Sequence, residues 1–148
     1  MAGARRLRTE ATMDPADRQA IHDLITDYCY TFDTADHDAF AALFSEDAVF
    51  GRAGSEVRGR EAIRDLVANR WVEEPTPRRH LVSNIRLQEP DEDGSVRGKA
   101  MFLVTIATTG ESRARILATG WYDDVYVRTA EGWKFRYRVN HVDPRAKA

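Results

Sequence analysis

Apolar side chains in the first part of the chain recur three or four residues apart, which is the spacing of one face of a helix. Asp14-Pro15 marks the start of this helix. Asp accepts hydrogen bonds from free backbone amides, and Pro at the first helical position has no amide to leave unpaired. The pattern predicts one long amphipathic helix, whose apolar stripe consists of Ile21, Leu24, Ile25, Tyr28 and Phe32.

Two more helices and a short strand are predicted before the chain changes character. Asp36 is suited to cap a short second helix, and Gly59-Arg60-Glu61-Ala62-Ile63 begins a third. Residues 46–53, between these helices, have the composition of a short strand or hairpin arm. Pro75 and Pro77 then end the helical part, because proline cannot continue a helix.

Apolar runs separated by turn signals dominate the rest of the chain. Asp91-Glu92-Asp93-Gly94 and Thr109-Gly110-Glu111 are the clearest of these turns. The predicted strands cover residues 79–88, residues 101–108, a long run that ends near Val127, and a last run after Glu131-Gly132.

The order of these elements indicates the architecture. Helices first and an antiparallel meander afterwards predict an α+β fold, with the helices packed on one face of a curved sheet. A sheet curved around helices leaves an open mouth, and such mouths are preferred ligand sites. We expect one domain over residues 14–142, with flexible tails at residues 1–13 and 143–148.

Composition narrows the class of protein. The chain has 148 residues, of which 43% are hydrophobic and 31% charged, as is typical of a globular domain. A net charge of −2 offers no basic field for nucleic acid, and no apolar run approaches the roughly 20 residues that span a bilayer. Because Cys29 is the only cysteine, no internal disulfide is expected, and we interpret the protein as cytoplasmic.

Asp33 and His80 are the first candidates for chemistry. Asp33 stands at the end of the predicted long helix, and His80 stands at the start of a predicted strand. An imidazole titrates near neutral pH, so a histidine can take up and return protons. A carboxylate that binds its other ring nitrogen fixes the tautomer and stabilises the imidazolium. The alternative interpretation is a helix-end carboxylate in water and an ordinary strand histidine.

No metal-ligand set or nucleotide-binding motif accompanies this pair. The four histidines are scattered, and no HExxH helix or glycine-rich loop after a strand occurs. We therefore expect no metal and no cofactor, because a carboxylate–histidine pair transfers protons without either.

Five segments of the chain together resemble a known family. The sequence of these segments, and the order in which they occur, resemble SnoaL-like members of the nuclear transport factor 2-like superfamily. The resemblance covers about residues 14 to 141. The resemblance implies an α+β cone in which the N-terminal helices pack in the concave face of a curved, mainly antiparallel sheet around an apolar pocket. It also implies a small hydrophobic cyclic substrate and a homodimer or homotrimer. The segments are Phe32-Asp33-Thr34-Ala35-Asp36, Phe40-Ala41-Ala42-Leu43-Phe44, Gly59-Arg60-Glu61-Ala62-Ile63, Arg79-His80 before Asn84, and Gly132-Trp133-Lys134-Phe135.

The resemblance implies roles for four residues. Asp33 and His80 match the carboxylate–histidine dyad of the dehydratase and dehydrochlorinase relatives. Tyr28 falls where the bile acid dehydratase has a tyrosine. Arg138 falls where the bile acid dehydratase and the dehydrochlorinase both have an arginine. One departure is that residues 101–108 contain no histidine, whereas scytalone dehydratase has a second one there. The fungal melanin reaction is therefore not expected.

The residues themselves leave two of these roles open. Tyr28 lies on the apolar helix stripe, so it is either a core aromatic or a cavity-lining tyrosine that binds substrate. Arg138 shares a strand face with Lys134 and Arg136, opposite Phe135 and Tyr137, which is typical of a solvent-facing position. Only a bulge near the strand end, or a sheet face turned toward the mouth, would bring Arg138 to substrate.

Strand alternation extends the candidate site. If His80 points into the cavity, Val82 and Asn84 share its face and follow it there. Phe32 and Trp121 are further candidates, because aromatic side chains suit a ring-shaped substrate. We predict that these four residues, Val82, Asn84, Phe32 and Trp121, contact substrate.

These residues favour a cofactor-independent lyase or isomerase of the dehydratase type, in which the Asp33–His80 pair abstracts a proton from a hydrophobic cyclic substrate. A polyketide cyclase is an alternative, because the same abstraction makes an enolate that can close a ring. A second alternative is a non-catalytic ligand-binding or assembly module, like the small subunits of ring-hydroxylating oxygenases. In that case Asp33 would lie far from His80.

Overall fold

Three helices and six strands follow one another in the computed structural model of the chain. It describes residues 12–73, 76–107, 110 and 112–144. The helices are α1 (Pro15–Asp33), α2 (His37–Ala42) and α3 (Arg60–Glu73). The strands are β1 (Phe44–Arg52), β2 (Ser55–Arg58), β3 (Arg78–Leu87), β4 (Val96–Ile106), β5 (Arg115–Thr129) and β6 (Gly132–Val142).

The strands form one curved sheet with the order β2-β1-β6-β5-β4-β3. All neighbouring pairs are antiparallel except β1 and β6, which run parallel. Helix α1 packs against β3 and β6 across the concave face. The predicted α+β cone, with helices in the concave face of a mainly antiparallel sheet, is confirmed.

The predicted helix starts are confirmed at atomic detail. The Asp14 carboxylate accepts a hydrogen bond from the amide of Ala16 at 2.8 Å, and Asp36 caps α2 by accepting one from Ala39 at 3.1 Å. The apolar stripe of α1 is buried from Ile21 to Phe32. Because this stripe sets the rotation of the helix against the sheet, Asp33 in the last turn is directed toward the start of β3.

Two irregularities in the sheet change which side chains face the interior. In β3, Ser83 pairs with Met101 and Arg86 pairs with Lys99. Two residues of β3 therefore lie opposite a single residue of β4, which is a β-bulge. Asn84 lies in this bulge with a φ of 52°. Side chains after the bulge face the side opposite to the one that plain alternation predicts.

The second irregularity lies between β5 and β6. Val125 pairs with Tyr137 and Tyr126 pairs with Phe135, so Arg136 is the additional residue. Phe135 and Arg138 are consequently both buried on the inner face, although strict alternation would separate them. A bulge was named as one condition for an inward Arg138; the one observed lies in the middle of β6 rather than near its end.

Some predictions concern residues that are only partly described. The tails predicted at residues 1–13 and 143–148 lie mostly outside the described residues, as do the break at Pro75 and parts of the turn at 109–111. Met13, at the edge of the first of these, is buried, and its amide donates a hydrogen bond to Glu89 at 2.6 Å. None of the helices in the described ranges combines the length and apolar character that crossing a membrane requires.

Candidate active site

Asp33 and His80, which are 47 positions apart in the chain, are directly hydrogen-bonded. One carboxylate oxygen lies 2.6 Å from Nδ1 of the His80 ring, and the other accepts the backbone N–H of His80 at 2.8 Å. Both side chains are 9% exposed. An ionised carboxylate only accepts hydrogen bonds, so Nδ1 is the donor in this contact, and in the neutral imidazole Nε2 then has the free lone pair. The second bond prevents the carboxylate from rotating away from the ring.

Aromatic rings surround the imidazole. The ring centroid of Phe32 lies 4.6 Å from that of His80, and Tyr28 approaches it edge-on at 6.2 Å. Apolar packing limits the positions that the imidazole can adopt and reduces the water around it. The dyad therefore has a fixed geometry before any ligand binds.

His80 lines a cavity of about 1010 Å³ that opens between α1, α3 and the concave face of the sheet. This volume lies at the upper end of the usual range for small-molecule sites and is enough for several fused rings. Phe32, one of the predicted substrate contacts, is on the cavity wall. The aromatic part of this wall consists of Tyr28, Phe32, Phe50, Phe102 and Tyr122.

Tyr28 is 2% exposed and contributes to the cavity wall. Burial raises its pKa to about 12, although the nearby Arg138 cation acts in the opposite direction, and a hydrogen bond joins its hydroxyl to Tyr122. Burial also raises the pKa of Tyr122 well above its ordinary value. Both phenols therefore stay protonated at neutral pH and can donate hydrogen bonds.

These buried phenols predict that the folded state loses stability in alkali. The contribution of Tyr28 is complete below its ordinary pKa of 10.0 and is lost as the pH rises toward about 12, because the unfolded chain releases the phenol proton first. The expected loss for Tyr28 alone is about 3 kcal/mol. Urea midpoints measured at about pH 9, 10 and 11 should fall for the parent protein and fall less steeply for Tyr28→Phe. Equal slopes for both proteins would contradict this assignment.

Arg138 is fully buried and lies behind the two tyrosines rather than on the cavity wall. Its guanidinium carbon is 4.2 Å from the ring centroid of Tyr28 and 3.9 Å from that of Tyr122. Its partner is Asp124, whose carboxylate is 3.3 Å from Nε and 0% exposed. Arg138 is therefore not on the cavity wall, where a direct contact with substrate would require it to be, and it contacts the rings of Tyr28 and Tyr122 instead.

Asp124 and Tyr122 belong to the site but were not predicted to do so. Asp124 is buried and accepts a hydrogen bond from the hydroxyl of Tyr126 at 2.6 Å. Burial raises its pKa, while Arg138 favours its charged form. Strand alternation could have identified this group, because Tyr122, Asp124 and Tyr126 occupy every second position of β5.

The structure corrects three predicted substrate contacts. Val82 packs against the hydrophobic core and is not part of the cavity wall. The bulge in β3 turns Asn84 to the outer face, where it is exposed and its amide nitrogen lies 3.1 Å from the sulfur of Met101. Trp121 also lies on the outer face, stacked on His141 with ring centroids 4.8 Å apart. The error arose from assuming uninterrupted alternation and from placing Trp121 by residue type alone.

The described residues include no group of three or more His, Cys, Asp or Glu side chains that could bind a metal ion. What the arrangement offers instead is acid–base chemistry: one imidazole with a fixed tautomer, and two phenols that remain protonated.

The fold and the site together define a class of protein: an α+β cone with a large cavity, a histidine on the cavity wall and a carboxylate hydrogen-bonded to that histidine. The chain belongs to the family of SnoaL-like domains, whose family model matches residues 14–139.

The chain is also similar to a curated protein and to solved structures. Rv3472 of Mycobacterium tuberculosis, a protein of unknown function, is 28% identical, with a TM-score of 0.78 over 88% of this chain and 78% of its own. The uncharacterised protein Rv2910c of Mycobacterium tuberculosis is 28% identical over 127 residues, which are 84% of each chain. Aln2 from a Streptomyces species shares the fold, with 21% identity and a TM-score of 0.79 over 88% of this chain and 94% of its own.

Proposed function

We propose that this protein is a cofactor-independent lyase or isomerase of the dehydratase type, acting on a hydrophobic cyclic substrate. The observation that carries the proposal is the pair of hydrogen bonds, at 2.6 and 2.8 Å, by which Asp33 holds His80 on the wall of an aromatic cavity. A base with a fixed tautomer inside an apolar cavity is the equipment that proton abstraction from carbon requires.

The proposed reaction begins at Nε2 of His80, which takes a proton from a carbon next to an electron-withdrawing group. The electron pair of the broken C–H bond moves into the substrate as an enolate or a new double bond. The imidazolium, stabilised by Asp33, then returns its proton. In an elimination the proton goes to a departing hydroxyl group, which leaves as water; in an isomerisation it goes to another carbon.

Tyr28 is proposed to donate a hydrogen bond to substrate oxygen, and Tyr122, whose hydroxyl is hydrogen-bonded to that of Tyr28, is proposed to hold the Tyr28 hydroxyl in place. Their hydroxyls remain protonated because burial raises both pKa values. Arg138 supplies a fixed positive charge directly behind the two rings. Negative charge that develops on the oxygen is therefore stabilised by a preorganised donor rather than by mobile water.

Tyr28→Phe is expected to lower kcat about 10- to 100-fold, because it removes one donor to the oxygen while retaining the ring that covers Arg138. The matched control is Tyr30→Phe, since Tyr30 is 68% exposed and outside the cavity. Steady-state kinetics of both variants on the same substrate test the role. An unchanged kcat for Tyr28→Phe would assign this residue to packing alone.

The substrate class is tested by incubating the protein with steroid, terpenoid and aromatic polyketide candidates in deuterium oxide. Mass spectrometry then detects loss of water, ring closure and deuterium gained at carbon. Elimination or exchange that depends on His80 supports the lyase or isomerase. The non-catalytic alternative is supported if candidates bind equally well with and without His80, and if no candidate in the panel gains deuterium at carbon.

Ring closure by a polyketide cyclase is the second candidate. The observation that favours it is the cavity volume of about 1010 Å³, which can hold a folded multi-ring precursor. The same enolate is formed, but it attacks a carbonyl carbon within the substrate instead of expelling a hydroxyl group. The resulting alkoxide takes the proton from the imidazolium, so ring closure alone leaves the mass unchanged, whereas elimination lowers it by one water. The mass change in the experiment above therefore separates elimination from ring closure.

Self-association as a homodimer or homotrimer remains part of the proposal. It is supported by apolar side chains on the outer face of the sheet: Leu81 is 53% exposed, Met101 54% and Trp121 39%. Exposed apolar groups that share one face favour association with another protein surface.

A further inference from the structure

Four arginines lie on the wall of the cavity, and they come from four different elements. Arg52 is at the end of β1, Arg70 is near the end of α3, Arg78 starts β3 and Arg115 starts β5. Among the described residues of this wall, Asp143 is the one carboxylate, and it accepts a hydrogen bond from Thr119 at 2.7 Å. The described part of this wall therefore has four arginines and one carboxylate above an aromatic interior.

The sheet register brings two of these arginines together. Arg78 pairs with Ile106, and Ile106 pairs with Arg115, so the three residues form one row across β3, β4 and β5. Directly paired residues face the same side, and two strand spacings separate the backbones of the two arginines by about 10 Å. Both side chains reach the same cavity.

The same register relates this row to the dyad. His80 is two residues after Arg78 on the same face, which corresponds to about 7 Å along the strand. Arg78 is 5% exposed, and its guanidinium lies 5.5 Å from the ring centroid of Trp71. A cation is thus fixed between the mouth and the reactive imidazole.

The outer part of the mouth carries the remaining positive charge. Arg52 and Arg70 are exposed, and neither forms an ion pair within the parts of the chain that the structure describes. An arginine presents a planar fork of donors that fits a carboxylate or phosphate. Several such forks around one opening attract anions and orient them before the apolar part enters.

We propose that the arginines at the mouth, Arg52, Arg70, Arg78 and Arg115, bind an anionic group of the substrate, either a carboxylate or a phosphate, while its ring system lies against His80. This inference rests on the proposed function in one respect, because it takes the cavity ligand to be the substrate. It adds the chemical class: an amphipathic anion whose charged group is separated from the reacting carbon by about one ring or a short chain.

Two fluorescent probes that differ in one group test the anion site. They are 1-anilinonaphthalene-8-sulfonate, which is anionic, and N-phenyl-1-naphthylamine, which has the same rings without the sulfonate. The parent protein should bind the anionic probe more tightly. Arg70→Gln/Arg115→Gln changes two exposed side chains. This double variant should bind the anionic probe about tenfold or more weakly than the parent, and its affinity for the neutral probe should be unchanged. Arg78→Gln should lower the affinity for the anionic probe in the same way.

The matched control is Arg86→Gln, which removes the same charge from β3 at an exposed position outside the cavity. It should bind both probes as the parent does. Displacement by 1-naphthoate and by 1-naphthyl phosphate distinguishes a free carboxylate from a phosphate as the preferred anion. The anion site is overturned if the parent binds the neutral probe equally well, or if Arg70→Gln/Arg115→Gln retains the parental preference.

Failure of this inference can be separated from failure of the proposed function. His80→Ala keeps all four arginines, so it should bind the anionic probe like the parent even when turnover is lost. Parental turnover in His80→Ala would end the lyase proposal without affecting the anion site. Loss of the probe preference in His80→Ala would contradict the anion site as described, because binding would then depend on the imidazole.

Discussion

Replacing His80 with Ala is expected to reduce turnover at least about 10²- to 10⁴-fold, the usual contribution of a general base. The imidazole lies on the cavity wall and has a partner for its charged form, the Asp33 carboxylate at 2.6 Å. The measurement is the rate of product formation and of deuterium incorporation at carbon. Comparison with His22→Ala controls for loss of a histidine, because His22 is outside the cavity. A parental rate for His80→Ala would show that another group removes the proton.

Asp33→Asn should have an effect of similar size for a different reason. The variant keeps the volume of the side chain but removes the negative charge that stabilises the imidazolium, so it tests Asp33 as a positioning residue. A readout without substrate is the downfield proton NMR signal of the Nδ1–H of His80, which a 2.6 Å hydrogen bond to a carboxylate should produce. The signal should disappear in Asp33→Asn. Its retention together with full activity would contradict the dyad.

Removing the carboxylate of Asp124 is expected to have the largest effect on stability. Asp124→Ala leaves the Arg138 guanidinium, which is 0% exposed, without its ionic partner inside the core. An uncompensated buried charge costs about 3–5 kcal/mol, a large part of the roughly 5–15 kcal/mol by which domains are stable. Urea unfolding at constant m-value measures the loss.

A paired variant makes this prediction specific. Asp124→Leu/Arg138→Met removes both charges and fills the space with apolar atoms, so it should recover most of the stability lost in Asp124→Ala. Asp91→Ala is the matched surface control, because Asp91 binds Arg97 at 3.0 Å where both are partly exposed. It should cost less than about 1 kcal/mol. If the double variant is less stable than Asp124→Ala, the buried pair is not the source of the loss.

The helical part of the fold was predictable because its signals are local. The Asp14 and Asp36 caps act on amides two or three residues away, and the stripe from Ile21 to Phe32 needs only the period of a helix. The strand boundaries of the second half were also predicted approximately, although β4 begins at Val96 rather than at residue 101. Turn residues and apolar runs carry that information in the sequence itself.

The faces of the strands were not predictable to the same degree. One extra residue in β3 turned Asn84 outward, and one in β6 turned Arg138 inward. A bulge depends on how much a strand must bend to follow its neighbours around the helices. The bend depends on the whole sheet, so the residues that flank a bulge do not indicate its position in the sequence.

By itself, the sequence determined that helices precede a meander of strands and which residue types were available for acid–base chemistry. These properties follow from local backbone preferences and from side-chain structure. Only the tertiary structure decided that Asp33 meets His80, that Arg138 lies behind Tyr28 and Tyr122, and that four arginines surround one opening. Each of these arrangements joins residues far apart in the chain, and the packing of α1 against a bent sheet brings them together.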